Sequence, residues 1–152
     1  MTRPEQARLL ALALPAVLLG GAYISQYGFG LYPCEMCWWQ RYPHFAALAL
    51  ALAGFALPAG RMWAGLAALA ILASGLIGGF HAGVEYGWWP GITPCARIGG
   101  IDVLDPGAAP LTRCDQAPWD LFGVSLAGFN FLFSSAGAIA ILALTTVSGR
   151  KA

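Results

Sequence analysis

Four cysteines are the residues of this chain whose type and spacing suit redox chemistry. Cys34 and Cys37 form a Cys-x-x-Cys motif, and Cys95 and Cys114 are separated by 18 residues. Thiolates pass disulfides between such pairs by direct exchange. Four cysteines allow three pairings, and the spacing alone does not choose among them.

Arg41 is the charged residue best placed to act on the Cys-x-x-Cys motif. It follows Cys37 by four positions, which is one helical turn, and therefore lies on the same face. We expect the motif at a helix start, where backbone amides and a nearby guanidinium favour a thiolate, whereas Glu35 opposes one. The other interpretation of Arg41 is an interfacial arginine whose side chain reaches lipid phosphates.

Two non-catalytic interpretations of the cysteines stay open at this point. A Cys-x-x-Cys motif also forms half of many zinc sites, but Cys95 and Cys114 do not supply the second closely spaced pair, so we expect no metal. Two inert disulfides that hold outer loops in place are the stronger alternative.

The composition indicates a membrane protein. Of 152 residues, 59% are hydrophobic and 10% are charged, against about 45–50% and about 25% in soluble domains, and the mean hydropathy is +0.67. Too few charges remain for a water-facing surface. This excludes an ordinary cytosolic enzyme, a disordered tail and a protein that binds nucleic acid through a basic face.

Four charge-free stretches are long enough to cross a bilayer as helices, since a span needs about 18 or more apolar residues. They cover 9–34, 42–60, 62–84 and 121–149. The first is too long for the apolar core of a signal peptide. We therefore predict an all-α membrane protein, a four-helix transmembrane bundle that forms one domain over 1–152. Its helices are expected near 9–27, 40–58, 63–83 and 122–146, with cysteine-bearing outer loops near 28–39 and 84–121.

The basic residues predict the orientation of the bundle. Most of them fall at the N-terminus, in the second loop and at the C-terminus: Arg3, Arg8, Arg61, Arg150 and Lys151. The positive-inside rule places these three regions in the cytoplasm. All four cysteines then lie on the oxidising outer side, where disulfides persist.

A few polar side chains fall within or beside the predicted spans. His44 lies on the face of Arg41 and is expected to be interfacial, with a ligand contact as the alternative. His81 and Glu85 are four positions apart, so they can meet in a structural hydrogen bond or take part in proton uptake. Asn130 predicts a hydrogen bond between helices. Close helix packing is predicted at a glycine stripe with four-residue spacing, Gly75, Gly79 and Gly83.

In combination, these features resemble the bacterial DsbB family of disulfide bond formation proteins. The family signature, Cys-x-x-Cys followed four residues later by arginine, is matched by PCEMCWWQR at 33–41. A second feature that resembles the family is the segment WDLFG at 119–123. Vitamin K epoxide reductase-like proteins share the general plan, but their loop cysteines precede the Cys-x-x-Cys motif.

In two respects the chain departs from the DsbB family. Gln40 stands where an acid is common, and the short segment between the loop cysteines is rich in turn formers (Gly99-Gly100 and Asp105-Pro106-Gly107), which does not favour a membrane-lying helix.

The resemblance implies a role for each cysteine. Cys34 and Cys37 form the membrane-proximal redox pair, and Cys37 contacts the quinone, whose binding Arg41 supports. Cys95 and Cys114 form the loop pair, and Cys95 is attacked by a reduced periplasmic thioredoxin-fold partner, DsbA.

The implied activity is that of a membrane thiol oxidase. Electrons pass from the DsbA-like partner through both cysteine pairs to a membrane quinone, ubiquinone or menaquinone, with His44 as a further candidate contact. The implied location is the bacterial inner membrane, with both termini cytoplasmic and the cysteines periplasmic. The alternative is a non-enzymatic four-span structural or interaction protein with inert loop disulfides.

Overall fold

The computed structural model describes residues 1–93 and 112–146. Within these ranges the chain forms four helices and a small hairpin: α1 (Arg3–Gly28), α2 (Glu35–Ala56), α3 (Gly60–Glu85), β1 (Asp120–Leu121), β2 (Val124–Ser125) and α4 (Leu126–Thr146). Helices α1, α3 and α4 are each long and apolar enough to cross a membrane. The protein is therefore mostly helical, as the charge-free stretches predict.

Helix α2 begins at Glu35, earlier than the expected start near residue 40. The reason is that Cys34 caps the helix: its Sγ accepts a hydrogen bond of 3.3 Å from the backbone N–H of Cys37. A side-chain acceptor at this position satisfies an amide that the helix itself leaves unpaired. Cys37 consequently lies in the first turn of α2 and not in the preceding loop.

Helix α4 begins at Leu126, after the start expected near residue 122, because a hairpin precedes it. Strands β1 and β2 pair antiparallel, and the two residues between them, Phe122 and Gly123, have φ of 53° and 78°. Positive φ at both central residues is the geometry of the tightest hairpin turns, which glycine favours. Ser125 then starts the helix, since its Oγ accepts the N–H of Gly128 at 3.1 Å.

The helices pack closely through small residues. Helix α3 lies against both α2 and α4 and also contacts α1. The main buried cluster consists largely of alanine: Ala7, Ala11, Ala47, Ala51, Ala64, Ala67, Ala68 and Ala138, with Ile71 and Ile141. Small side chains allow helix backbones to approach, and this packing replaces the hydrophobic driving force that lipid cannot supply.

Part of the predicted glycine stripe lies at the α3–α4 contact. A Cβ atom on Gly75 would lie 3.0 Å from Ser134 Cβ, and one on Gly79 would lie 2.8 Å from the ring of Phe131. The third glycine, Gly83, faces the ring of Trp89 instead. Cys95, the glycine and proline turns of the second outer loop and the last two basic residues lie outside the described residues.

Candidate redox site

The two thiols of the Cys-x-x-Cys motif face each other at the start of α2. The Sγ atoms of Cys34 and Cys37 lie 2.9 Å apart, and both cysteines are free thiols. Cys34 is buried, whereas Cys37 is half-buried. The hydrogen bond with Cys37, together with burial, raises the pKa of the Cys34 thiol. The pair is therefore a dithiol in which the Cys34 thiol keeps its proton to a higher pH than an ordinary cysteine does.

Cys114, from the segment between α3 and β1, packs against this pair. It is completely buried in a cluster with Cys34, Met36 and Val84, and Cys37 packs against that cluster. Cys114 is disulfide-bonded, and its Sγ accepts a hydrogen bond of 3.4 Å from Thr93 Oγ1. The structure thus brings one loop cysteine to the motif, whereas Cys95, its implied partner, lies outside the described residues.

His81 of α3 lies beside the Cys-x-x-Cys motif. Its Nε2 is 3.6 Å from Cys34 Sγ and 3.7 Å from Glu85 Oε1. The predicted meeting of His81 and Glu85 is therefore observed. Its contact with Cys34 was missed, because no local spacing links residues 47 positions apart.

A chain of amides connects His81 to α4. Gln40 donates through Nε2 to His81 Nδ1 at 2.9 Å and to Met36 O at 3.2 Å. Its Oε1 accepts from Asn130 Nδ2 at 2.9 Å, and Asn130 also donates to Ser74 O at 3.2 Å. The interhelical role predicted for Asn130 is therefore observed. Gln40 was noted only as a departure from the family pattern, and its role in the site was missed.

Arg41 is buried between α1 and α2. It donates to Gln26 Oε1 at 2.7 Å and to Ala22 O at 3.3 Å. Its guanidinium carbon lies 4.9 Å from the ring centres of both Tyr23 and Trp38, a cation–π arrangement on two rings. With 6% of its surface exposed, Arg41 does not reach out to lipid phosphates as the alternative interpretation required.

His44 faces α4 and is not interfacial as expected. It is buried, and its Nε2 donates to Asn130 Oδ1 at 3.0 Å. The interhelical hydrogen bond explains this position, because a polar ring inside a bundle needs a partner. Among the described residues, His44 Nδ1 has no hydrogen-bond partner.

The site also contains three groups of the kind that bind soft metal ions. One ligand atom each from Cys34, Cys37 and His81 lies within 4.8 Å of the others. However, the amide of Gln40 donates to His81 Nδ1, which leaves the imidazole proton on Nε2, the atom that faces Cys34. His81 thus presents a hydrogen-bond donor to this space and not a lone pair. The expectation of no metal stays a prediction.

The comparisons with known proteins agree on one family. The family model described as "Disulfide bond formation protein DsbB" matches residues 4–144. Proteins named "Disulfide bond formation protein B" are similar to the chain: the one from Azoarcus sp. (strain BH72) is 32% identical, with 97% of this chain and 96% of the relative covered. The one from Verminephrobacter eiseniae (strain EF01-2) is 32% identical, with 90% of this chain and 82% of the relative covered. The one from Acidovorax sp. (strain JS42) is 31% identical, with 95% of this chain and 88% of the relative covered.

No solved structure matches the chain. The family match nonetheless extends from α1 to α4 and includes all four cysteines, and the Azoarcus relative aligns over nearly its whole length. The chain is a multi-pass membrane protein that belongs to the DsbB family of disulfide bond formation proteins.

Proposed function

We propose that this protein is a quinone-dependent thiol oxidase that sustains disulfide bond formation. It reoxidises a periplasmic DsbA-like dithiol and passes the electrons through Cys95–Cys114 and Cys34–Cys37 to a membrane quinone. It acts in the bacterial inner membrane, with both termini in the cytoplasm and the cysteines in the periplasm. The observation that carries this proposal is the burial of Cys114 in one cluster with Cys34.

Contact between the two cysteine pairs is what their exchange requires. A loop thiolate attacks one sulfur of an oxidised Cys34–Cys37 pair, so that one S–S bond forms, one breaks, and a thiolate leaves. Closure of the loop disulfide completes the transfer of two electrons to Cys34 and Cys37. The partner class is very oxidising, at about −120 mV, so few dithiol acceptors can reoxidise it and a further electron acceptor is needed.

A quinone supplies that acceptor, because it takes up two electrons and two protons. Three residues of α2, spaced by four and three positions, would hold the quinone: Cys37, Arg41 and His44. Arg41 fits a bound carbonyl compound, because its two hydrogen bonds use two of the five N–H groups of a guanidinium. His44 donates through Nε2 to Asn130, so its buried Nδ1 is an acceptor without a partner among the described residues and fits a hydroxyl of the reduced quinone.

In this arrangement the chain's own residues have separate tasks. Cys37 is the half-buried thiol of the pair and is the one that contacts the quinone. Arg41 is fixed by α1 and provides positive charge one turn along the helix, which favours the Cys37 thiolate. The buried Cys34 faces the loop cysteine and exchanges with it.

Quinone reduction by the purified protein in detergent, measured without oxygen, tests this function. The donor is either a reduced thioredoxin-fold partner or a small dithiol, and Cys37→Ser is run beside the native chain. We expect fast reduction that Cys37→Ser abolishes while circular dichroism shows unchanged helix content. Full turnover in Cys37→Ser would refute the assignment. No reduction by a folded native protein with either donor would favour the non-enzymatic alternative with inert disulfides.

A further inference from the structure

The sulfur of Cys114 receives a hydrogen bond from the hydroxyl of Thr93. Thr93 Oγ1 donates to Cys114 Sγ at 3.4 Å, between residues 21 positions apart in the chain. Thr93 is 1% exposed and Cys114 is completely buried. An O–H group inside the protein therefore points at the loop sulfur that packs beside Cys34.

The segment that follows α3 is attached to that helix and carries Thr93 to this position. Trp89 Nε1 donates to Phe80 O at 2.9 Å, and the indole ring stacks on the ring of Phe80 with the centres 5.7 Å apart. Phe80 in turn packs against the buried cluster that contains Cys114. The hydroxyl of Thr93 is therefore placed by the same part of α3 that forms the wall of the cysteine cluster.

The surroundings of Cys114 make such a donor necessary for exchange. Cys114 is buried with Met36 and Val84, and burial among apolar groups disfavours a thiolate. When a disulfide is attacked, the sulfur that leaves departs faster as the more stable thiolate. A hydroxyl that donates to a charged sulfur forms a charge-assisted hydrogen bond, which is stronger than the bond to a neutral sulfur. The hydrogen bond from Thr93 consequently favours Cys114 as the leaving group.

The ionisable groups around this sulfur come from three parts of the chain. Beside Cys114 in the sequence, Arg113 and Asp115 form an ion pair at 2.6 Å, so together they add no net charge. The titratable side chains at the adjoining ends of α2 and α3 are Cys34, Cys37, His81 and Glu85. The Thr93 hydroxyl differs from all of them, because it donates a hydrogen at any pH at which the protein works.

We propose that Thr93 is a catalytic residue of the loop pair, whose hydroxyl stabilises Cys114 as the thiolate that leaves when the loop disulfide opens. A partner thiolate attacks Cys95, so that a partner–Cys95 bond forms and the Cys95–Cys114 bond breaks. The electron pair stays on Cys114, and the proton of the hydroxyl stays on Thr93. The Cys114 thiolate then attacks Cys34. The inference rests on the proposed function for the identity of the attacking thiol, whereas the hydrogen bond itself is tested without it.

A chain with Cys114 as its single thiol tests the hydrogen bond directly. The full-length protein carries Cys34→Ser, Cys37→Ser and Cys95→Ser, and the rate at which methyl methanethiosulfonate modifies Cys114 is measured against pH. Thr93→Val keeps the shape of the side chain and removes the hydroxyl. It should move the midpoint of this profile upward by about one pH unit, the effect of one hydrogen bond to a charged group. Thr93→Ser keeps a hydroxyl and should restore the midpoint. An unchanged midpoint in folded Thr93→Val overturns the proposal.

Thr145→Val is the matched control for the loss of a buried hydroxyl. Thr145 is a buried threonine near the C-terminal end of α4, and its Oγ1 donates to Leu142 O at 2.8 Å. This substitution should leave the midpoint unchanged, and circular dichroism checks the helix content of every variant. A shift in Thr145→Val equal to that in Thr93→Val overturns the proposal, because the effect would then not come from contact with the sulfur.

The second test follows the leaving step. With Cys34→Ser and Cys37→Ser, the loop pair is the one disulfide that reduced glutathione can open, and timed alkylation with peptide mass spectrometry gives the rate. Thr93→Val should slow opening about three- to tenfold, whereas Thr93→Ser and Thr145→Val should not. Glutathione should be found on Cys95. An equal rate without the hydroxyl, or glutathione on Cys114, overturns the catalytic role. Neither quinone nor partner protein is used, so these results are independent of whether quinone reduction succeeds.

Discussion

Arg41 of α2 donates a hydrogen bond of 2.7 Å to Gln26 of α1. The guanidinium carbon lies 4.9 Å from the ring centres of both Tyr23 and Trp38, so two cation–π contacts hold the charge together with the hydrogen bond. A charge inside a membrane helix costs about 2.5–3.5 kcal/mol at its centre and less near its end. These contacts offset part of that cost and fix Arg41 one turn from Cys37. The C-terminal end of α1 and the N-terminal end of α2 are thereby joined at the site proposed for the quinone.

Gln26→Leu should therefore weaken quinone use without removing the charge. Loss of the acceptor frees one edge of the Arg41 guanidinium, and we expect the KM for quinone to rise about three- to tenfold, as for the loss of one hydrogen bond. Arg41→Ala should have a larger effect in the same direction. Steady-state kinetics at varied quinone and saturating dithiol measure both. Equal KM values for Gln26→Leu and the native chain would show that Gln26 does not position Arg41.

Alkylation should distinguish the two thiols of the motif. The hydrogen bond with Cys37, together with burial, raises the pKa of Cys34, and the thiolate is the form that reacts. At pH 7 to 8, iodoacetamide should modify Cys37 about ten times faster than Cys34 in the reduced protein, and the rate at Cys34 should increase as the pH rises towards its pKa. Peptide mass spectrometry after timed quenching gives both rates. The variants Cys34→Ser and Cys37→Ser each leave one thiol of the motif and give its rate separately. Faster modification of Cys34 than of Cys37 would contradict the raised pKa of Cys34.

The sequence predicts helices better than it predicts their ends. Charge-free stretches indicate four helices because a bilayer excludes both charge and unpaired backbone groups. They do not reveal that Cys34 caps α2, since the cap depends on where one sulfur points. Nor do they reveal the hairpin before α4. Phe122 and Gly123 turn the chain within an apolar stretch that continues without a charge into the helix.

The proximity of Cys34, Cys37 and Arg41 was predictable, because their types and spacing are local. The contacts of His81 with Cys34 and with Gln40 were not predictable, because they join residues 41 or more positions apart. A lone glutamine or histidine in an apolar stretch signals that some polar partner exists. It does not say which helix supplies that partner, since this depends on how the helices are arranged around the bundle.

Gly83→Ala should destabilise the C-terminal end of α3. A Cβ at this position would lie 2.0 Å from Trp89 Cζ2, so the indole ring would have to move and lose its 2.9 Å hydrogen bond to Phe80 O. We expect a loss of about 1–3 kcal/mol, the usual cost of overpacking. Thermal unfolding in detergent, followed by circular dichroism, measures the change in Tm.

Gly65→Ala provides the matched control for this substitution. It lies in the same helix, and a Cβ there meets nothing within 4 Å. Alanine is favoured over glycine in a helix by about 1 kcal/mol, so the Tm should stay the same or rise. A fall in Tm equal to that of Gly83→Ala would mean that the loss reflects helix propensity or lipid contact and not the approach of Trp89.

Asn130→Ala should destabilise the bundle more than any other single change in its polar network. Asn130 Nδ2 donates to Gln40 Oε1 and to Ser74, and its Oδ1 accepts from His44 and Ser134. Truncation leaves several buried groups without partners, and each buried unsatisfied group costs about 1–3 kcal/mol.

Ser135→Ala separates this effect from a general sensitivity of α4 to substitution. Ser135 Oγ is buried and has no hydrogen-bond partner among the described residues. Its removal should therefore change the free energy of unfolding by less than about 0.5 kcal/mol. Unfolding of the two variants in the same detergent, followed by helix content, gives the comparison. If both lose the same stability, Asn130 contributes through packing and not through its hydrogen bonds. A loss confined to Asn130→Ala would show that one amide joins α2, α3 and α4 beneath the cysteine site.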